Sequence, residues 1–293
     1  MPESINPRGQ DNASTYFVQD KGSEAELIRL MIQESFVTEG MGGLLPEQDN
    51  PAAFHRVLDV GCGPGGWILE VAKVYPHMEM TGIDISWKMI EYARAQAQAR
   101  RLTDGVKFLV MDATKPLTFP AHSFDLVNMR LVTSWMLAKD WPSVLRELLR
   151  VTRPGGVVRV TDAETLIRSN SPAHMRLGQM VHCALSKSGH LFTEESVGTT
   201  LILPQLLSES GCLDVKTQPH MLEYLGGTVG GQNFYQNSMY GYQTLVPFLQ
   251  KWGCASEDYE AIYQQAMSEM QQSDFHATWK LVTAWGTKPA EES

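Results

Sequence analysis

A short apolar segment followed by a glycine-rich loop constrains the fold of this chain more than any other feature. Residues 57–67 read VLDVGCGPGGW, in which four glycines cover the junction of a predicted strand at 56–61 and a predicted helix at 65–75. Glycine lets the backbone approach a ligand closely, and a helix N-terminus offers N–H groups that have no partner within the helix. The segment therefore predicts the first strand–loop–helix unit of an α/β fold, with a ligand bound at the loop.

Predicted strands and helices continue to alternate after this unit. The further segments are apolar strands at 78–85, 106–113, 124–131 and 157–164, with helices at 87–101 and 142–152. Ser86 precedes the first of these helices, where its hydroxyl can accept a hydrogen bond from an N–H group of the first turn. Such alternation predicts a doubly wound α/β fold, with a mostly parallel sheet and helices on both faces.

The segments that flank this alternating region suggest how the chain is divided. Residues 1–22 are predicted to be a flexible arm, 23–289 a single domain and 290–293 a tail. Two segments, at about 165–200 and 225–275, break the strand–helix alternation. We expect them to be helical or loop insertions that form a lid.

Charge and cysteine content narrow the class of protein. The 293-residue chain has a net charge of −9, which disfavours a protein whose main ligand is DNA or RNA. Its first residues are polar, unlike a secretion signal, and no apolar run reaches the length of a membrane span. The four cysteines are not at metal-ligand spacing, so we expect four free thiols, no metal and a cytoplasmic protein.

The glycine loop by itself is compatible with two kinds of cofactor. Gly61-x-Gly63-x-x-Gly66, with Asp84 about 20 residues further on, loosely fits the dinucleotide-binding fingerprint. An NAD(P)-dependent oxidoreductase is therefore an alternative. Asp59 argues against it, because it stands shortly before the first glycine, where dinucleotide-binding strands usually remain apolar.

Five segments in order resemble the motifs of the class I S-adenosylmethionine-dependent methyltransferases of the small-molecule type. They span about residues 55–165 and read VLDVGCGPG, GIDIS, VMDAT, FDLVNMRLV and LLRVTRPGGVVRVTD. The resemblance resumes at LLSESGCLDVKTQ and TWKLVTAWGTKP, where that family carries a reversed last strand. It implies a Rossmann-like, mostly parallel seven-stranded sheet. The implied cofactor is S-adenosyl-L-methionine, with S-adenosyl-L-homocysteine as the product.

The resemblance also implies roles for cofactor-binding residues. Gly61, Cys62 and Gly63 would lie under the amino-acid part, and Asp59 would organise this loop or reach the amino group through water. Asp84 would accept both ribose hydroxyls, since two carboxylate oxygens can face a vicinal diol. The other implied contacts are Tyr16 in the arm, Ile85, Met89, Met111, Asp112 and Ala113 near the adenine, and Asn128, Met129 and Arg130 at the methionine end.

The family shares no single general base, so the catalytic residues remain candidates. A phenol or alcohol acceptor benefits from a base, whereas a neutral amine or a carboxylate can attack directly. The candidates are Asp162 and Glu164, at the end of the fifth predicted strand, and His182 in the lid. The two acids could equally cap the following turn, and a lone histidine is more often a surface or capped residue.

The segment EYLGGTVGGQNFYQNSMYGY at 223–242 is the predicted substrate contact. Its glycines permit an irregular path, while Tyr224, Asn233, Tyr235 and Tyr240 offer flat rings and polar groups. Trp135 follows the fourth strand, where cofactor and substrate would meet. Ordinary packing of helices explains the same aromatic residues equally well.

The leading hypothesis is an enzyme that methylates an O, N or C atom of a small aromatic or polycyclic metabolite in specialised metabolism. A protein of this fold that binds the cofactor but catalyses other chemistry is a further alternative, because fold does not fix function. The expected partner is the small-molecule substrate, with no nucleic acid and no membrane, and we expect a monomer or a homodimer.

Overall fold

The computed structural model describes residues 15–18 and 23–290. The strands within these ranges are β1 (Arg56–Val60), β2 (Glu79–Asp84), β3 (Val106–Val110), β4 (Phe124–Arg130), β5 (Thr152–Ala163), β6 (Arg168–Ser169), β7 (Leu213–Leu225) and β8 (His276–Thr287). The helices are α1 (Glu24–Gly40), α2 (Gly66–Val74), α3 (Trp87–Ala99), α4 (Trp141–Val151), α5 (Pro172–Lys187), α6 (Leu203–Glu209), α7 (Val229–Thr244), α8 (Val246–Lys251) and α9 (Tyr259–Glu269).

The strands form one mixed sheet in the order β3-β2-β1-β4-β5-β8-β6, with β7 paired to β8. The first five strands are parallel, and β8 runs antiparallel to β5, β6 and β7. The predicted Rossmann-like sheet with a reversed last strand is therefore confirmed, with the two-residue strand β6 as an addition. Chain order reverses between β1 and β4, and the crevice at such a reversal is where ligands bind in open α/β sheets.

Side chains that alternate along the strands form two hydrophobic clusters, one on each face of the sheet. Leu58 and Val60 pack with α4 and α6 on one face, whereas Val57 packs with α2 and α3 on the other. A third cluster joins α1, α5, α7, α8 and α9 to the aromatic residues of β7 and β8. This third cluster contains the helices that lie over the ligand end of the sheet.

The segment predicted to follow an irregular path is instead the regular helix α7. The hydroxyl of Thr228 accepts a hydrogen bond from the N–H group of Gly231 at 3.0 Å, which caps the first turn. Gly231 is needed there because an added Cβ would lie 2.0 Å from the carbonyl oxygen of Leu225. Gly231 thus permits the tight turn by which the chain enters α7.

The expectation of four free thiols is wrong for two of the cysteines. Cys183 in α5 and Cys254 after α8 form a disulfide across 71 residues, while Cys62 and Cys212 are free. Pairing at such a separation depends on how α5 packs against α8, which the cysteine spacing does not reveal. Among the described residues, no helix is long and apolar enough to cross a membrane.

The proposed domain division remains a prediction. α5 lies in the first predicted lid segment, and α7, α8 and α9 lie in the second. Of the predicted arm, residues 1–14 and 19–22 lie outside the described residues, as do 291–293 of the predicted tail.

Candidate active site

A cavity of about 510 Å³ opens at the carboxyl ends of β1, β2, β4 and β5. The loops that line it include residues 61–64, 84–86, 111–115 and 130–131. α1, α5 and α7 close the opposite side. The volume lies within the range of about 300–1,000 Å³ that is usual for small-molecule sites, so we take this cavity as the candidate active site.

Three glycines in the loop after β1 have left-handed backbone conformations. Gly61, Gly63 and Gly65 have φ angles of +71°, +52° and +80°. An added Cβ on Gly61 would lie 3.2 Å from the indole of Trp135, and one on Gly65 would lie 2.7 Å from the ring of Phe108. Gly61 and Gly65 therefore require glycine for both conformation and space, whereas Gly63 requires it for conformation.

The first N–H groups of this loop are already bonded within the protein. Those of Gly61 and Cys62 donate to the carbonyl oxygen of Ile83 at 2.8 and 2.9 Å, and that of Gly63 donates to Oδ2 of Asp84 at 2.9 Å. Where α2 begins, the side chain of Glu34 occupies the space in front of Gly66. The loop consequently presents carboxylates and carbonyl oxygens, a polarity that suits a cationic ligand group better than a phosphate.

Asp59 ends a row of buried polar side chains that crosses three strands. Asp59, Asn128 and Arg159 are register partners on β1, β4 and β5. Nδ2 of Asn128 donates to Oδ1 of Asp59, and Nη1 of Arg159 donates to Oδ1 of Asn128, each at 2.7 Å. Arg159 also forms a bidentate ion pair with Glu47, at 2.7 and 3.1 Å. The row orients the Asn128 amide so that its N–H group points at Asp59.

Burial raises the pKa of Asp59 to about 7, although the charge of Arg130 and the hydrogen bond from Asn128 act in the opposite direction. The Asp59 carboxyl lines the cavity. Its charge therefore changes near neutral pH, and a cation bound beside it would favour the ionised form.

Asp84 and the segment after β3 form the next part of the wall. Oδ1 of Asp84 accepts from the N–H group of Ser86 at 2.8 Å, which holds the carboxylate at the strand end. Asp112 is held in the same way, because its Oδ1 accepts from the N–H and hydroxyl groups of Thr114 at 2.9 and 2.7 Å. Five predicted contacts of this region line the cavity, namely Ile85, Met89, Met111, Asp112 and Ala113.

Arg130 lies at the end of β4, between the glycine loop and α1. Its guanidinium pairs with Glu34 and lies over the ring of Trp67, 5.4 Å from the ring centroid. Its buried Nε has no hydrogen-bond partner among the described residues. Arg130 therefore retains one unsatisfied donor beside the cavity.

Two predicted cofactor contacts do not lie where we expected. Asn128 and Met129 are fully buried within β4, and neither lines the cavity. Both residues lie inside the strand, which was predicted at 124–131 and runs from Phe124 to Arg130, so only Arg130 reaches the strand end at the cavity. Asn128 acts on the cavity only through Asp59.

Residues 15–18 form part of the roof. The N–H group of Phe17 donates to the carbonyl oxygen of Ser134 at 3.0 Å, which ties this segment to the loop after β4. The hydroxyl of Tyr16 hydrogen-bonds to Glu26, and the ring lines the cavity as predicted. His190, buried beneath this segment, contacts the carbonyl oxygen of Thr15 at 2.9 Å.

The three candidate bases have different surroundings. Asp162 lines the cavity, but its carboxylate accepts from Thr133, Thr199 and the N–H group of Ala163, so it holds loops together. His182 does not line the cavity, and its Nδ1 lies 2.8 Å from the hydroxyl of Thr165. Glu164 lines the cavity and pairs with Lys280 at 3.1 Å. It is thus the candidate best placed to accept a proton.

Only one of the five predicted substrate contacts lies on the cavity wall. Trp135 lines it, whereas Tyr224, Asn233, Tyr235 and Tyr240 do not. Tyr224 is buried and stacks on Phe234, with ring centroids 4.3 Å apart. The other three belong to α7 but do not reach the cavity, and Asn233 lies one turn before Asn237. The residues of α7 that do line it are Asn237, Ser238, Gly241 and Tyr242.

Sequence reasoning also missed the polar residues of α1 that line the cavity. They are Arg29, Gln33 and Glu34. The signal was present as charged residues within the otherwise apolar pattern of SEAELIRLMIQESFVT. Within the described residues, no three His, Cys, Asp or Glu side chains converge so as to hold a metal ion.

Comparison with known proteins agrees with this fold and loop. Residues 57–156 match the family described as the methyltransferase domain. This segment is therefore similar to a methyltransferase domain, and the fold is the Rossmann-like fold of the class I S-adenosylmethionine-dependent methyltransferases. The fold also matches phosphoethanolamine N-methyltransferase 2 of Haemonchus contortus, with a TM-score of 0.57 and 17% identity over 99% of this chain and 61% of that one.

Curated methyltransferases share parts of this domain. The chain is 46% identical over 88 residues to aklanonic acid methyltransferase DauC of a Streptomyces species, which is 30% of this chain and 39% of that protein. It is 28% identical over 141 residues to methyltransferase str2 of Strobilurus tenacellus, which is 48% of this chain and 47% of that protein. The matched part of this chain thus covers less than half the length of each of these relatives.

Proposed function

We propose that this protein transfers the methyl group of S-adenosyl-L-methionine to a small hydrophobic metabolite. The observation that carries the proposal is the polarity of the loop after β1. Its first N–H groups are used within the protein, and Asp59, Asp84 and Glu34 surround it with carboxylates. This polarity supports an ammonium and a ribose as ligand groups, and it disfavours the pyrophosphate of NAD(P), which needs N–H donors.

The residues present fit S-adenosylmethionine group by group. Asp59 would pair with the ammonium, the guanidinium of Arg130 would pair with the carboxylate, and Asp84 would accept from the ribose hydroxyls. Met89 and Asp112 would lie at the adenine. When bound, this cofactor supplies a methyl group that is already activated by the positively charged sulfur.

The part of the cavity beyond the glycine loop supports an apolar acceptor. Its wall includes aromatic and aliphatic side chains from six separate parts of the chain, namely Phe17, Leu131, Ile167, Val181, Leu185, Leu245 and Trp279. Flat rings favour an aromatic or polycyclic molecule. The relative DauC is named for a small-molecule acceptor, aklanonic acid, which supports a small molecule here as well.

The protein's own contribution to catalysis is positioning and proton removal. An enclosed wall holds the acceptor atom in line with the methyl group and excludes water. A hydroxyl acceptor must also lose its proton, and we assign Glu164 to receive it because this residue lines the cavity and, within the described residues, its carboxylate holds no loop together.

Calorimetric titration with S-adenosylmethionine, S-adenosylhomocysteine and NAD⁺ tests the cofactor. We expect micromolar binding of the two sulfur compounds and none of NAD⁺. Asp84→Asn should weaken binding at least tenfold, because it replaces one of two acceptor oxygens with a donor. Asp104→Asn, in an exposed loop, is the matched control and should bind as the wild type does. Binding of NAD⁺ alone would refute the proposal.

Product analysis tests the reaction itself. Hydroxylated aromatic ketones incubated with protein and S-adenosylmethionine should gain one methyl group, detected by mass spectrometry. A product that forms equally without the cofactor, or with it but lacking the added methyl group, would point to non-methylating chemistry.

A further inference from the structure

Arg29 of α1 is a buried cation that pairs with Glu26 through only one side of its guanidinium group. It is 5% exposed and lines the cavity. Nε and Nη2 donate to the two carboxylate oxygens of Glu26 at 2.8 and 2.7 Å, and Nη2 also donates to the hydroxyl of Tyr16 at 3.0 Å. Nη1 has only a 3.4 Å contact, to Oδ1 of Asn237. One of its two N–H groups therefore has no partner among the described residues.

Two polar side chains of α7, those of Asn237 and Ser238, also have donors without a hydrogen-bond partner among the described residues. The Asn237 amide uses its oxygen to face Arg29, and its Nδ2 donates to no described residue. The hydroxyl of Ser238 likewise has no hydrogen-bond partner in the described ranges, although Ser238 is buried. All three side chains line the cavity. An added Cβ on Gly241 would lie 3.3 Å from Cδ of Arg29, so this glycine leaves room for the arginine side chain.

This group of donors lies close to the proposed cofactor site. On α1, Leu30 and Glu34 contact the glycine loop, where they approach the Cβ positions of Gly63 and Gly66 to 3.9 and 2.7 Å. Arg29 directly precedes Leu30 but faces α7. A molecule held between α1 and α7 would therefore lie beside the cofactor, where a methyl acceptor must lie.

The charges around these donors are already paired. Glu26 matches Arg29, Arg130 matches Glu34, and Lys280 matches Glu164. An added carboxylate would leave an uncompensated negative charge in a buried site, which is costly. A neutral oxygen that accepts hydrogen bonds would satisfy the free donors without adding charge.

We propose that Arg29 and Asn237 form a subsite for a neutral carbonyl oxygen of the methyl acceptor, which defines the acceptor as an apolar ketone, quinone or ester. The inference rests on the proposed function only in identifying the bound molecule as the acceptor. Nη1 of Arg29 and Nδ2 of Asn237 donate to the carbonyl oxygen. The apolar wall encloses the remainder of the molecule.

Three probes of similar size test the subsite on the full-length protein. Acetophenone carries the carbonyl, α-methylstyrene replaces its oxygen by a CH₂ group, and benzoate carries a charge. Dissociation constants come from NMR titrations that follow the side-chain amide signals of the ¹⁵N-labelled protein, with S-adenosylhomocysteine present and absent. We expect acetophenone to bind about fivefold to tenfold more tightly than α-methylstyrene, the effect of one or two hydrogen bonds. Benzoate should bind more weakly than acetophenone.

Substitutions on α7 connect this preference to the donor pair. Asn237→Leu removes one of the two donors and should lower the ratio of the two neutral probes to about twofold to threefold, the effect of the remaining Arg29 donor. Asn237→Asp keeps the size but removes the donors, and it should have the same effect if the leucine variant does not fold. Asn233→Leu, one turn earlier on α7 and off the cavity wall, is the matched control and should keep the wild-type ratio.

Three outcomes would overturn the inference. They are tighter binding of benzoate than of acetophenone, equal binding of the two neutral probes to the wild type, and an undiminished preference for acetophenone in both Asn237 variants. Loss of S-adenosylhomocysteine binding would instead count against the proposed cofactor. The probe ratio is measured without that ligand as well, so the two failures are distinguishable.

Discussion

Replacement of Glu47 by glutamine isolates the effect of one charge in the buried row that ends at Asp59. Glu47 and Arg159 have fully buried side chains, joined by two hydrogen bonds of 2.7 and 3.1 Å. Breaking a buried ion pair by removing one partner typically costs about 3–5 kcal/mol, because the remaining charge is left uncompensated. The glutamine oxygen can still accept one of the two bonds, so we expect about 3 kcal/mol. In a chain of this size that loss lowers Tm by about 5 °C.

Urea unfolding followed by circular dichroism measures this loss against a matched exposed pair. Glu70 and Arg100 are also joined at 2.7 Å, but their side chains are 46% and 37% exposed. Glu70→Gln should therefore cost less than about 1 kcal/mol. If Glu47→Gln costs no more than Glu70→Gln, the argument from an uncompensated buried charge is refuted.

A double variant checks the same reasoning from the other direction. Glu47→Met combined with Arg159→Met removes both charges and leaves apolar side chains of similar length. Replacing a whole buried pair by apolar residues is often close to neutral. The double variant should thus lose less stability than Glu47→Gln alone, and a larger loss would contradict the electrostatic explanation.

Three further predictions follow from the cavity and the lid. Because burial raises the pKa of Asp59 to about 7, S-adenosylhomocysteine should bind about tenfold more tightly at pH 8 than at pH 6, where the carboxyl is mostly protonated. Calorimetry on Asp59→Asn should remove this dependence, and a variant that retains it would exclude Asp59 as the titrating group. Gly61→Ala should cost about 1–2 kcal/mol in urea unfolding and weaken S-adenosylhomocysteine, because φ is +71° and the Cβ would press on the indole of Trp135. Wild-type stability in that variant would show that the loop adapts. Reduction of the Cys183–Cys254 disulfide, which separates its cysteines by 71 residues, should lower the free energy of unfolding by about 4 kcal/mol. Melting with and without a phosphine reductant measures this effect, and Cys183→Ser, which already lacks the bond, should not respond to the reductant.

The sequence predicted which residues line the cavity where their positions depend only on the ends of the parallel strands. In a parallel sheet, the residues that follow each strand meet at one edge, so Asp59, Gly61, Asp84 and Asp112 could be placed together from their local context. All but two of the fourteen predicted cofactor contacts line the cavity. The other two, Asn128 and Met129, lie within β4 and are fully buried, because only Arg130 stands at the end of that strand.

The cavity-lining residues of α7 were harder to predict, because they depend on which face of the helix packs toward the sheet. The segment 223–242 contributes to the cavity wall, but through Asn237, Ser238, Gly241 and Tyr242 and not through the residues that were named. An irregular path and a helix present different side chains, and the cap at Thr228 that starts α7 was not recognised. Even a correct helix assignment leaves open which polar face turns inward.

The amino-acid sequence by itself determined the α/β class, the order of its strands and helices, and a carboxylate-rich glycine loop at the ligand end of the sheet. These features depend on local apolar patterning and on glycine conformations, which act over a few residues. Only the tertiary structure decided the pairing of Glu47 with Arg159, of Cys183 with Cys254, and of Arg29 with Asn237. Each joins residues far apart in the chain, and the energy of such a contact depends on burial and distance that only the packed molecule defines.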